Sequence, residues 1–211
     1  MYDFPPTLGT NRHENDIYAI LAQLERNGVP RAPIAFYGSS SIRLWTGLTG
    51  DLKSLDVVNL GFGGGTFLSG IHYMERLLLP LNPTKIVLYF GENDIANDGL
   101  TARSTFSNFL ILREQISERL PTARVFILST KQSPARWLYS DEVDRFNTLC
   151  ADWCSSRTDT CWIDVGTGLL GENGRPMSRL FLPDLIHMNP AGYAIWAHVL
   201  KSSPGLLDRL P

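Results

Sequence analysis

A chain of 211 residues suits one α/β domain or two very small ones, and its 44% hydrophobic and 19% charged content sits within the ordinary soluble range. A chain this long buries roughly 70% of its unfolded surface, so it needs no disulfide or metal staple. A net charge of −2 and a pI near 6.1 argue against nucleic acid as a partner. The apolar runs, such as 86–90, are too short for a bilayer span.

The opening stretch MYDFPPTLGTNRHEND has no cationic-then-apolar leader pattern. Three cysteines, Cys150, Cys154 and Cys161, are an odd count and read as reduced thiols, so a cytoplasmic location is expected. Cys150 and Cys154 lie four apart in a helical pattern and read as small apolar residues on a buried face.

Taken in chain order, ENDIYAILAQLERNG (14–28) reads as a helix ending at Gly28. IAFYG (34–38) is a first strand, followed by three consecutive serines, Ser39, Ser40 and Ser41. VVNLG (57–61) is a second strand, and TFLSGIHYMERLLL (66–79) a helix. KIVLYFG (85–91) is a third strand. In TARSTFSNFLILREQISERL (101–120), Phe106, Phe109, Leu110 and Leu120 form the apolar face before Pro121 stops the helix. RVFILST (124–130) is a fourth strand, DEVDRFNTLCADWCSS (141–156) a helix and CWIDV (161–165) a fifth strand. A last helix begins at NPAGYAIWAHVL, with Asn189 as N-cap and Pro190 at its first position.

The strands are continuously apolar, as expected when both faces of a sheet are covered. This alternation predicts a doubly wound, five-stranded parallel sheet with helices on both faces, a flavodoxin-like three-layer sandwich. No repeat or linker interrupts it, so residues 1–211 read as a single domain, with an N-terminal arm and helix (1–30) packed on it. In open α/β sheets, sites form beyond the carboxyl ends of the strands. Those ends carry Ser39-Ser40-Ser41, the glycine run 61–65, Glu92-Asn93-Asp94, and, after the fifth strand, FLPDLIHMN (181–189).

These four segments supply the parts of acyl transfer. A serine is a weak nucleophile until a base takes its proton. His187 is the candidate base, and Asp184, three residues earlier, can reach its other ring nitrogen. Gly64 can offer a backbone N–H and Asn93 a side-chain N–H₂ to an oxyanion, along with the serine's own N–H. The local sequence does not choose among the three serines, each of which can equally cap a helix. His13 lies in a polar stretch, and His72 and His198 sit inside helical patterns. The glycine run has G-x-G-G-G spacing after the second strand and does not match a dinucleotide fingerprint. Glu92, Asp94 and Asp98 read as solvated loop acids and caps, with Asp94 bracing its loop.

In order and across nearly the whole chain, YGSSSI, NLGFGGG, GEND and DLIH resemble the four blocks of the SGNH hydrolases, the superfamily of GDSL-type esterases and lipases. The resemblance implies Ser40 as nucleophile, Asp184 and His187 as its partners, and Ser40, Gly64 and Asn93 as the oxyanion hole. The family's Gly-Asp-Ser is Gly-Ser-Ser-Ser-Ile here, as in one subgroup. KQSPARW (131–137) also resembles that subgroup and places Arg136 or Trp137 at a pocket rim. The implied activity is hydrolysis of carboxylic esters through an acyl-enzyme, with a small-molecule ester as partner and no metal or organic cofactor. Phe62, Phe67, Trp45, Trp137 and Met188 are expected to narrow the acyl pocket, which favours short, acetyl-like groups. A lysophospholipase or lipase is the alternative within the family. Outside it stand a metal-dependent phosphoesterase using Asp94, Asp98, Asp184 and His187, and a non-catalytic binding module. Oligomeric state is not legible.

Overall fold

The computed structural model describes residues 12–208. In chain order its main elements are α1 (Glu14–Asn27), β1 (Ile34–Gly38), α2 (Ser40–Arg43), α3 (Leu48–Leu52), β2 (Val57–Gly61), α4 (Phe67–Leu77), β3 (Lys85–Tyr89), α5 (Glu92–Ala96), α6 (Ala102–Arg119), β4 (Arg124–Leu128), α7 (Ser140–Ser155), β5 (Thr160–Ile163) and α8 (Pro190–Lys201). The five strands form one parallel sheet in the order β2-β1-β3-β4-β5. The expected arm at residues 1–11 lies outside the described residues, while α1 packs on the sheet through buried Ile17 and Ile20.

The strands are apolar throughout because each face meets a layer of helices. Ala35, Tyr37, Leu60, Leu88 and Ile127 pack with residues of α1, α4, α6 and α7. The alternate positions Phe36, Val57, Val87, Phe126 and Leu128 pack with α2, α3 and α8. Alternation along each strand therefore puts one apolar set into each of two cores.

Several boundaries differ from expectation. β3 ends at Tyr89 and β4 at Leu128, two residues short of the predicted ends. Beyond them side chains take over the backbone groups: Thr130 Oγ1 donates to the Phe90 carbonyl, and Ser129 Oγ accepts from the Val165 and Gly166 N–H groups. The β5 ladder runs over Thr160–Ile163 rather than 161–165. On α6 the buried face is Ala102, Thr105, Phe109, Leu112, Arg113 and Ile116, at helical spacing, and Phe106 and Leu110 are only partly buried beside it. Leu120 leaves helical geometry immediately before Pro121, whose ring disfavours helical backbone in the preceding residue.

Two short helices, α2 and α5, shape the site. α2 lies flat on the end of β2, and Gly61 makes this possible: a Cβ there would sit 2.2 Å from the Arg43 backbone nitrogen. Asn59 locks the approach, donating to the Ile42 carbonyl at 2.7 Å and accepting from the Gly61 N–H at 2.9 Å. Cys150 and Cys154 are free and buried on α7 as expected, and burial pushes the Cys154 thiol up to about 11.

Candidate active site

At the carboxyl edge of the sheet, Ser40, His187 and Asp184 form a continuous hydrogen-bonded chain. Ser40 Oγ lies 2.8 Å from His187 Nε2, and His187 Nδ1 lies 2.6 Å from Asp184 Oδ2. Ser40 opens α2, directly after β1. Ser39 occupies the N-cap position of α2 without a side-chain cap bond, and its N–H donates to the Tyr89 carbonyl. Ser41 is buried, and its carbonyl accepts from Tyr193 Oη at 2.9 Å.

The turn carrying Asp184 and His187 is built by local bonds. The Leu182 N–H donates to the His187 carbonyl, the Leu185 N–H to the Leu182 carbonyl, and Leu185 takes a left-handed φ of 56°. Asp184 Oδ1 accepts from the Ile186 and His187 backbone N–H groups at 2.9 and 3.0 Å. Asn189 anchors the far side: its Oδ1 accepts from Ala191 and Gly192 at the start of α8, and its Nδ2 donates to the Arg179 and Phe181 carbonyls.

Partial burial pushes the Asp184 carboxyl up, but the hydrogen bonds from the His187 ring and the two backbone N–H groups outweigh it and hold the group at about 2. An ionised carboxylate only accepts, so Nδ1 of His187 carries the ring proton and Nε2 presents its lone pair to the Ser40 hydroxyl. The arrangement can move a proton from Ser40 Oγ to His187 Nε2.

The glycine loop is held from the N-terminal side. Gly64 has a φ of 68°, a conformation that favours glycine, and its carbonyl accepts from Arg12 Nη2 at 2.8 Å. His13 Nδ1 donates to the Gly63 carbonyl at 2.8 Å, and the Gly63 N–H donates to Asp16 Oδ2 at 2.6 Å. The His13 ring packs edge-on against Phe62 and Tyr73, and its burial lowers its pKa. Sequence reading passed over His13 and Asp16, because a contact across some fifty residues leaves no local pattern.

Asn93 lies on α5, and it does not stand in open solvent. Its side chain is buried, with Nδ2 donating to the Gly65 carbonyl at 2.9 Å and Oδ1 accepting from Asn97 Nδ2 at 3.0 Å and Arg136 Nη1 at 3.1 Å. One N–H of the amide remains for another acceptor. Arg136 thus sits beside Asn93, and Trp137 is half-buried with Arg175 over its ring at 5.0 Å.

The acids beside Asn93 correct the expectation of solvated loop residues. Glu92 and Asp94 are both buried. Glu92 pairs with Lys131 Nζ at 2.5 Å, accepts from Ser133 Oγ at 3.0 Å, and lies 3.4 Å from Arg136 Nη1. Asp94 does brace its loop, accepting from the Phe67 and Gly91 N–H groups, each at 3.1 Å. The residues weighed as a metal set are used separately, Asp94 on backbone N–H groups and Asp184 on His187. Among the described residues no group of three or more His, Cys, Asp or Glu side chains is placed to hold a metal ion.

Burial is the main cause that lifts the Asp94 carboxyl from 3.8 to about 7, against the opposing backbone bonds. A raised carboxyl pKa means that its stabilisation is fully present below about pH 4 and is lost as pH rises through about 7. Asp94→Ala leaves two buried N–H groups unpaired and is expected to cost about 2–4 kcal/mol at pH 5, and less at pH 8. Urea unfolding at the two pH values checks both the size and the sign.

Four of the five residues expected to narrow an acyl pocket are core residues. Phe62 and Phe67 pack in one core with Phe90, and Trp45 and Met188 in the other with Trp196. The two pairs lie in separate cores on opposite sides of the sheet.

Comparison with known proteins agrees with this fold. The model of the GDSL-like Lipase/Acylhydrolase family matches residues 20–195. Among solved structures, a Streptococcus pneumonia protein whose name refers to platelet activating factor is 19% identical with a TM-score of 0.77, covering 91% of this chain and 92% of its own. A GDSL-like lipase from Bacteroides thetaiotaomicron is 18% identical, with a TM-score of 0.71 over 88% of this chain and 95% of its own. A variant of an acetyl-xylooligosaccharide esterase from Geobacillus Stearmophilus is 13% identical, with a TM-score of 0.68 over 86% and 99%. No curated protein sequence matches significantly. Among the described residues no helix is long and apolar enough to cross a membrane. With a family model spanning most of its length over a parallel α/β sheet, the chain belongs to the GDSL-like Lipase/Acylhydrolase family, within the SGNH hydrolases, and is an ester-bond hydrolase.

Proposed function

We propose that the protein is a serine esterase that cleaves a small carboxylic ester through an acyl-enzyme, with Ser40 as nucleophile, His187 as base and Asp184 as the group that orients His187. The observation that carries this reading is the chain of contacts at 2.8 and 2.6 Å from Ser40 Oγ through His187 to Asp184. As Ser40 Oγ attacks the ester carbonyl carbon, its proton passes to Nε2 and the carbonyl oxygen becomes an oxyanion. The Ser40 and Gly64 N–H groups and the free N–H of Asn93 stabilise it. Collapse breaks the C–O bond to the alcohol, which takes the proton from His187. Water, deprotonated by His187, then releases the acid and restores Ser40. No step calls for a metal or an organic cofactor.

An acetyl-like acyl group remains the favoured substrate. Its support is the fold shared with an acetyl-xylooligosaccharide esterase, since four of the five bulky residues first invoked for it belong to the cores. A second reading, a lipase or lysophospholipase, draws on Leu138 and Leu185. Leu138 is 88% exposed on the Pro134–Tyr139 3₁₀ segment beside Asn93, and Leu185 is 37% exposed between Asp184 and His187. A fluorophosphonate probe is expected to label Ser40 irrespective of chelator, and absence of labelling sinks the reading. A series of p-nitrophenyl esters of rising chain length separates the two substrate classes: the acetyl reading requires kcat/KM to fall steeply beyond the shortest esters, and the lipase reading requires it to rise.

The pH profile tests the base. His187 must be neutral to accept a proton, so activity is expected to rise from acid toward neutral pH and then level off. Asp184, held at about 2, stays ionised across that range and adds no ionisation of its own to the acid limb. A profile flat into strong acid excludes histidine as the base.

A further inference from the structure

The amide of Asn93 is useful as an oxyanion donor only if its nitrogen, not its oxygen, faces the glycine loop. The two ends of a carboxamide have nearly the same shape, so the surroundings must choose between them. Here the choice begins at Arg136. A guanidinium donates and never accepts, so any amide that meets it must present oxygen. Arg136 Nη2 donates to Asn97 Oδ1 at 2.9 Å, which turns Asn97 Nδ2 toward Asn93. Asn97 Nδ2 then donates to Asn93 Oδ1 at 3.0 Å, and Arg136 Nη1 donates to the same oxygen at 3.1 Å. Asn93 Nδ2 is left on the opposite side, where it meets the Gly65 carbonyl at 2.9 Å. A flipped Asn93 would lose two donors from its oxygen and set an oxygen against the Gly65 carbonyl.

Arg136 is itself held in place. Its Nη1 is 3.4 Å from Glu92 Oε1, and the other oxygen of Glu92 is taken by Lys131, whose side chain is fully buried. Two cations share one carboxylate, so the cluster behind Asn93 carries one positive charge in excess. The residue before Arg136 also reaches the base turn: the Ala135 N–H donates to the Leu185 carbonyl at 3.1 Å, one residue from Asp184.

We propose that Arg136 is a positioning residue for ester hydrolysis. Acting through Asn93, it fixes which end of the amide faces the glycine loop. By placing a cation on the amide oxygen, it polarises the group so that its free N–H donates more strongly as negative charge develops on the substrate. This inference rests on the reading of Ser40 as nucleophile and Asn93 as oxyanion donor.

The test is steady-state kinetics on p-nitrophenyl acetate, with a thermal melt of each variant. Arg136→Gln is expected to lower kcat by roughly 10- to 50-fold with KM within about twofold, because the lost interaction strengthens in the transition state. Arg136→Lys, which keeps the charge but not the fork, is expected to recover part of the loss. In an Asn93→Ala background, the same Arg136→Gln change should lower kcat by less than about threefold, since residues acting through one another do not add. Should Arg136→Gln fail to fold, Asn97→Asp keeps an acceptor for Arg136 and removes the donor to Asn93, and a kcat lowered by about fivefold is expected. The inference is overturned by a normal kcat in a folded Arg136→Gln or Asn97→Asp protein, by a change confined to KM, or by a full multiplicative loss in the double variant. A wild-type protein that hydrolyses no ester and takes no fluorophosphonate removes the underlying reading as well. An active wild type, a dead Ser40→Ala and an unaffected Arg136→Gln remove this inference alone.

Discussion

Ser40→Ala is expected to lower turnover by roughly 10⁴-fold or more, with the fold intact. The methyl side chain has no lone pair to attack the ester and no proton for His187 to take, and a nucleophile and its base act as a unit. The flanking serines provide the control. Ser39 and Ser41 are buried, while Ser40 Oγ lies 2.8 Å from His187 Nε2. Ser39→Ala and Ser41→Ala should therefore keep most of the activity. Their cost should be in stability, because each removes a buried hydroxyl beside β1 and α2. The measurement is kcat on one short ester for all three variants, with melting temperatures alongside. An active Ser40→Ala protein beside an inactive Ser39→Ala or Ser41→Ala protein would move the nucleophile to another serine.

Asn93→Ala is expected to lower kcat by about 10²–10³, roughly 3–4 kcal/mol of transition-state stabilisation, with little change in KM. The buried contacts with Gly65, Asn97 and Arg136 mean that this variant also leaves polar partners unpaired and should melt lower than wild type. Asn93→Asp is the sharper probe of the donor. Its carboxylate can still accept from Arg136 and Asn97, but it sets negative charge against the Gly65 carbonyl and the developing oxyanion. It should be at least as inactive as the alanine variant. A folded Asn93→Asp protein with near-normal kcat would reduce Asn93 to a structural residue of α5 and leave the oxyanion to backbone N–H groups.

Much of this was legible in the order of residues alone, and the physical reason is local. Five apolar runs separated by helical patterns are a direct record of strands covered on both faces, and the parallel order follows once crossovers must be helical. Asn189 before Pro190 marks the start of α8 because capping and a fixed φ are properties of adjacent residues, and Asn189 does accept there from Ala191 and Gly192. The spacing of Asp184 and His187 is legible for the same reason, since a three-residue turn is enough to bring a carboxylate onto an imidazole. The extents of β3, β4 and β5 were not, because they depend on side chains such as Ser129 and Thr130 that reach across from other strands.

What the chain order leaves undecided is everything that depends on distant residues meeting. Three adjacent serines have the same chemistry, and the one within reach of His187 is selected by how α2 lies on β2, which in turn depends on Gly61 tolerating an approach that a Cβ would block. Glu92 and Asp94 read as solvated acids because their composition is polar, yet the fold buries them, one against Lys131 and the other on two backbone N–H groups. Burial of a charge is stable only where partners are supplied, and Lys131 and Phe67 come from other parts of the chain. His13 and Asp16 reach the Gly63 peptide across some fifty residues. The orientation of the Asn93 amide is likewise decided at a distance, by the Arg136 guanidinium 43 residues on. Local preference specifies elements and caps, whereas the alignment of hydrogen-bond donors is a property of packed elements and appears only when they meet.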